Sequence, residues 1–184
     1  MTICCAALLG ACATPPSPLE FHPEVITQSK IKMDAELRSI SVKTAPTGEV
    51  NWYRVENTIG DQFAQTSTGT GIPVTRQWEV ALSDALNQSL IFRDHATRTV
   101  SLIVEIQKIE MSGIATVDYD VTANYRLMDR NTGENAYAKT LESRGSAETG
   151  EAFVGAVRAR LAFVRAVQAN IEQFLADLEA TLLP

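Results

Sequence analysis

Val117-Asp118-Tyr119-Asp120-Val121-Thr122-Ala123-Asn124-Tyr125-Arg126-Leu127 alternates without a break between apolar and polar side chains. A period of two puts Val117, Tyr119, Val121, Ala123, Tyr125 and Leu127 on one face of a strand and Asp118, Asp120 and Thr122 on the other. One face is then dry and the other wet, the pattern of an antiparallel sheet covered on a single side. Working outward, Asp129-Arg130-Asn131-Thr132-Gly133-Glu134 reads as a hairpin turn, with Asn and Gly at the awkward backbone angles. Its partner strand runs from Asn135 to about Arg144, and Gly145 to Gly150 reads as a small-residue break. Upstream, Val100, Leu102, Val104 and Ile106 alternate in a strand from Val100 to Ile109 that Gly113 ends.

A sheet with one apolar face needs helices to cover it. Two are expected. The first spans Pro73 or Val74 to about Ile91, with Trp78, Leu82, Ala85, Leu86 and Leu90 at steps of three and four. The second is long, from about Glu151 to Leu182. Its stripe is Val157, Leu161, Val164, Ile171, Leu175, Leu178 and Leu182, interrupted by Gln168 and widened by Phe153, Phe163, Val167 and Phe174. The stripe either packs on the sheet or, with its spacing near 3.5 residues, meets a partner helix. Ahead of both helices, Ile31, Met33, Ala35 and Leu37 alternate with Lys32, Asp34, Glu36 and Arg38, which predicts a strand from Ile31 to about Val42. From Thr44 to Pro73 the periodicity fades among Pro46, Gly48, Gly60, Gly69 and Gly71, with a short strand expected around Asn51 to Val55. The fold class is α+β: a two-layer sandwich, a mainly antiparallel sheet with one medium and one long C-terminal helix on one face.

The 184 residues suffice for one domain with a sizeable core. Sixteen basic residues against 22 acidic leave a net charge of −6, which argues against nucleic acid as a partner. All three cysteines, Cys4, Cys5 and Cys12, precede residue 13, so the remaining chain can form neither a disulfide nor a thiolate metal site. His22 and His95 are the only histidines. Neither a metal site nor a cofactor is expected.

The opening, Met1 to Ala11, is an apolar run too short to span a bilayer, which takes about 20 residues. It reads as the remnant of a secretory signal peptide. Leu9-Gly10-Ala11-Cys12 is similar to the lipobox of bacterial lipoproteins. In that family the chain is cut before the cysteine, whose sulfur and new amino group are acylated. The resemblance implies lipidation at Cys12 and, with Ala13 rather than Asp behind it, the outer membrane. Several acyl chains anchor stably where one does so only marginally. Ala13-Thr14-Pro15-Pro16-Ser17-Pro18 then forms a stiff spacer, since proline fixes φ and removes donors. The expected organisation is signal remnant 1–11, lipidated cysteine and proline-rich linker 12–29, and one α+β domain 30–184.

Chemistry-bearing motifs are sparse. Gly69-Thr70-Gly71 precedes a helix but lacks the glycine and lysine spacing of a phosphate loop, and reads as linker. Ser83, Asp84 and His95 have the residue types of a triad, but neighbours on a helix point in different directions. Asp118 and Asp120 share a strand face, either as paired carboxylates or as part of a solvated surface. Arg158, Arg160 and Arg165 open the long helix and Glu172, Asp177 and Glu179 close it, the reverse of what the helix dipole favours. Arg158 and Arg165, seven apart on one face, are therefore candidates to contact anionic lipid or an acidic partner. The rival reading has them paired internally with their stems along the helix flank. Trp52 and Tyr53 are candidate exposed aromatics for a partner or, equally, caps on the core.

With the lipobox, this element order, and the strand-turn sequence Tyr125-Arg126-Leu127-Met128-Asp129-Arg130-Asn131-Thr132-Gly133-Glu134, the chain resembles small envelope lipoproteins. These include lipopolysaccharide-assembly lipoproteins and ABC-type transport auxiliary lipoproteins. The first group usually begins its mature chain Cys-Gly-Phe, where this one has Cys12-Ala13-Thr14. The resemblance implies a non-enzymatic accessory or binding subunit in envelope transport or assembly, facing the periplasm, with a protein partner or a lipidic ligand and no catalytic residue. The alternative is an envelope enzyme of unrecognised type.

Overall fold

The structure is a computed structural model that describes residues 19–45 and 73–183. Strand β1 (Glu36–Thr44) leads to helix α1 (Val74–Ser89). Three strands follow, β2 (Thr99–Ser112), β3 (Val117–Asp129) and β4 (Asn135–Ala147), and then helix α2 (Gly155–Thr181). The sheet order is β1-β2-β3-β4, with β1 parallel to β2 and the other pairs antiparallel. α2 packs on β4 and β3, while α1 packs beside β1. This is the expected α+β arrangement: a mostly antiparallel four-stranded sheet under two helices, the second long and C-terminal.

β3 is buried at every second residue along its whole length, with Val117, Tyr119, Val121, Ala123, Tyr125 and Leu127 under the helices. The expected turn follows it. Gly133 takes φ +77°, and the Asp129 carboxylate accepts from the Asn131 and Thr132 amides while the Arg98 guanidinium grips its other oxygen at 2.7 Å.

Four expectations are corrected. The first strand begins at Glu36 rather than Ile31, and Met33 only bridges to Phe92. Met33 and Ala35 are buried, but the register shifts between Leu37 and Ser39, so the inward phase passes to Ile40 and Val42. Leu90 ends α1 in the left-handed conformation at φ 53° with its side chain exposed, and Ile91 takes the buried place. β4 continues through Gly145 to Ala147. There α2 comes so close that a Cβ on Gly145 would stand 2.1 Å from the Ala162 carbonyl oxygen and 2.3 Å from the Ala166 nitrogen. The face that α2 buries is also rotated. It consists of Ala159, Ala162, Phe163, Ala166, Val167, Asn170, Ile171, Phe174 and Leu178. Leu161, Val164 and Leu175 lie at its margin, and Val157 and Phe153 are exposed.

The folded region also starts earlier than residue 30. Phe21 is completely buried, with ring centroids 6.4 Å from Trp78 of α1 and 5.4 Å from Phe163 of α2. The Leu19 amide donates to Gln77 near the start of α1, and the Ser29 amide donates to the Ser89 carbonyl at its end. The Ser29 hydroxyl meets Glu179, near the end of α2. Residues 19 to 29 therefore run between the two helices, from the start of α1 and the third turn of α2 to the ends of both. Residues 1–18, 46–72 and 184 lie outside the described residues, and with them Cys12, the Asn51 to Val55 strand, Trp52 and Tyr53.

Candidate functional surfaces

Three surfaces are available: the uncovered sheet face, a groove beside β1, and the end of the molecule where α2 begins.

The uncovered face carries the polar half of the alternation, and its charges are matched across strands. Glu105 of β2 lies 2.9 Å from Lys43 of β1 and 3.1 Å from Arg126 of β3. The Lys43 hydrogen bond, ahead of the Arg126 charge, holds the Glu105 carboxyl below its usual range. Asp120 stands opposite Arg144 in the register and accepts two guanidinium hydrogen bonds, at 2.6 and 2.8 Å. Its pKa is lowered accordingly. Asp118 accepts from Ser146 on the same neighbouring strand. The two aspartates thus share a face, and each is bound sideways to β4. Among the described residues no three His, Cys, Asp or Glu side chains converge.

The groove beside β1 encloses about 570 Å³ and is walled by Glu36, Arg38 and Ile40 on one side and Arg76, Glu79 and Val80 of α1 on the other. Three ion pairs lie in or beside it: Arg76 with Glu79, Arg38 with Glu36, and Arg93 with Asp34. Asp84 lies on the same helix and meets His22, whose Nε2 is 2.9 Å from Oδ2. His95 sits in the following loop with φ 60°. The Ser83, Asp84 and His95 side chains therefore do not assemble as a triad, because Asp84 is committed to a histidine from the segment between the helices.

Where α2 begins, the two candidate arginines both grip the loop between β4 and α2. Arg158 is buried. Its Nη1 donates to the Ala152 and Phe153 carbonyls, and Nη2 donates to the Ile114 carbonyl in the turn between β2 and β3. Arg165 donates to the Ser146 carbonyl and pairs through both Nη atoms with Glu151, at 3.0 and 2.6 Å. The Arg165 hydrogen bond pulls the Glu151 pKa down to about 2. Thr149 fastens the same loop to the Ala115 carbonyl. Arg158 thus joins the β2–β3 turn to the loop before α2, and Arg165 ties that same loop to the end of β4. Arg160 lies between, near Glu20.

Beneath this surface the sheet and α2 are joined by a buried polar chain. The Tyr125 hydroxyl donates to Asn170, 2.8 Å away, and the Asn170 amide donates to the Ser143 hydroxyl, which itself donates to the Ala166 carbonyl. Tyr125 also stacks on Phe174 at 4.4 Å. Burial raises the Tyr125 pKa and pushes that of Tyr119 up to about 12. These residues are fully used in holding α2 to the sheet.

No protein-family model matches the chain, and no curated protein matches its sequence. Solved structures share its fold. Protein XCC0632 from Xanthomonas campestris, described as a DUF330 protein, superposes with a TM-score of 0.57 at 14% identity, covering 87% of this chain and 94% of its own. Weaker likenesses include a minor lipoprotein from Acinetobacter baumannii, with TM-score 0.44, 12% identity, and coverage of 84% and 96%. The hypothetical protein CT253 from Chlamydia trachomatis gives 0.46 at 10% identity, with coverage of 80% and 96%. At these identities the likeness to XCC0632 speaks for the fold alone.

Proposed function

We propose that the chain is an envelope lipoprotein, held to the outer membrane through acyl chains on Cys12, and that it works as a non-enzymatic binding or accessory subunit in envelope transport or assembly. The observation that carries this reading is the order Leu9-Gly10-Ala11-Cys12, then a proline-rich stretch, then Leu19, which is buried in the domain. A thiol at that place has a defined use as the lipid acceptor, and the spacer joins it directly to a folded body. The binding role is supported by how the polar groups are spent. Glu105, Asp118 and Asp120 of the open face are bound across strands, and the two candidate arginines fasten loops.

The test is fractionation of cells expressing the full-length chain, with mass analysis of the mature N-terminus. The wild type is expected in the membrane fraction with Cys12 acylated, and Cys12→Ala is expected in the soluble fraction or as unprocessed precursor. Membrane retention of Cys12→Ala, together with an unmodified Cys12 in the wild type, would refute the anchor.

A further inference from the structure

Eight large apolar side chains are exposed among the described residues. Single exposed apolar residues are ordinary, whereas a group held together is not. Val80 and Leu90 line the groove beside β1, and Val25 and Leu183 lie in the segment between the helices and after the end of α2. The other four gather at one end: Ile114 at 89% exposed, Phe153 at 94%, Val154 at 61% and Val157 at 50%. Ile114 lies in the β2–β3 turn, Phe153 and Val154 in the loop before α2, and Val157 in the first turn of that helix. Their proximity is fixed by the Arg158 guanidinium, which binds the carbonyls of Ile114 and Phe153 at once. Thr149 adds a second tie between the loops through Ala115. Two loops are thus braced from inside by a buried cation while their apolar side chains point to solvent.

The path of the chain says what lies opposite this end. Residues 29 back to 19 run between the helices toward their beginnings, from Glu179 at Ser29 to Gln168 and Phe163 at residues 20 to 22. At Leu19 the described chain therefore heads toward the end that bears Ile114 and Phe153. The seven peptide steps from Leu19 back to Cys12 span at most about 24 Å even when fully extended. That is less than the length of β3, whose 13 residues extend about 40 Å.

We propose that Ile114, Phe153, Val154 and Val157 form a second membrane contact, entering the lipid interface beside the acylated Cys12 and fixing the domain with the start of α2 toward the bilayer. The proposal rests on the anchor argued above. A short tether keeps the apolar end at high local concentration over the bilayer, so that even a shallow insertion of four side chains is occupied. The hairpin turn around Asn131, at the far end of β3, then points away from the membrane.

The experiment is depth measurement on the full-length acylated protein in vesicles of phosphatidylethanolamine with a minor share of phosphatidylglycerol. A nitroxide is attached at Phe153→Cys, at Ile114→Cys or, as the control, at Asn131→Cys. The processed chain otherwise has only the acylated Cys12, so labelling is specific. Labels at 153 and 114 are expected to be several-fold less accessible to a water-soluble relaxing agent than the label at 131, and more accessible to dissolved oxygen. Equal accessibility at all three sites on acylated, vesicle-bound protein would overturn the contact and leave the anchor standing. Protection at 153 in native membranes but not in lipid vesicles would assign the surface to a protein partner, and likewise overturn it. Absence of acyl chains on Cys12 would overturn the anchor and this contact together.

Discussion

At Gly145 a hydrogen replaces a side chain at the point where α2 crosses β4 most closely. The backbone there is ordinary strand, so the requirement is space rather than an unusual dihedral angle. Because the obstructing atoms are helix backbone, Gly145→Ala can be accommodated only by moving α2 off the sheet. We expect it to cost about 3 kcal/mol, toward the upper end of typical overpacking penalties, read as a lower denaturation midpoint in urea. The sequence around Gly145 suggests a break because glycine serves turns and close approaches alike, and only the packing partner tells them apart. The arginines at 158 and 165 are legible only in part. Their positions on one helix flank are legible, but the carbonyls and the carboxylate that receive them come from other segments of the chain.

Among the elements, β3 is the one whose face assignment can be tested most directly. Val121 is buried under α2's side of the sheet while Asp120 faces water opposite Arg144. Val121→Asp puts an unpaired charge into the core and is expected to cost more than about 4 kcal/mol or abolish folding. Asp120→Asn removes one partner of a surface ion pair and is expected to change stability by no more than about 1 kcal/mol. Comparable chemical-denaturation midpoints for the two variants would contradict the assignment. Alternation was sufficient here because β3's buried phase runs unbroken from end to end. In β1 the same rule reads the phase correctly only as far as Leu37, since a register shift moves the inward positions to Ile40 and Val42. In α2 the apolar periodicity picks out Phe163, Val167, Ile171, Phe174 and Leu178 of the buried face but omits Ala159, Ala162 and Ala166, which allow close approach and weigh little in a hydrophobic pattern.

The molecule as a whole is closed by residues 19 to 29, whose lack of regular structure hid their place in the core. Phe21 bridges the two helices, and its removal should loosen them together. Phe21→Ala is expected to lower stability by about 3–5 kcal/mol, as for other buried aromatic truncations. Hydrogen exchange should then speed up in residues 19–29 and along the facing sides of α1 and α2. Unchanged exchange in that segment would show that Phe21 does not hold it. The candidate end of the molecule was only half legible. Phe153 is visible in the sequence as an apolar residue ahead of a helix, and periodicity assigns it to the helix's buried stripe. Ile114, beside Gly113 in a turn, carries no pattern at all, and the buried guanidinium that joins the two is apparent only in three dimensions.

The course of residues 19 to 29 also determines how the domain bears force. A pull on Cys12 is transmitted to Leu19 and from there along the axis of the segment, parallel to the helices on either side. Loaded lengthwise, the Leu19–Gln77 hydrogen bond, the Phe21 ring, the Gln168 amide bonds to the Glu20 and His22 carbonyls, and the Ser29 contacts share the tension, and none is unzipped ahead of the others. Under a pull on its N-terminal end the segment is therefore loaded as a shear joint rather than peeled from one side.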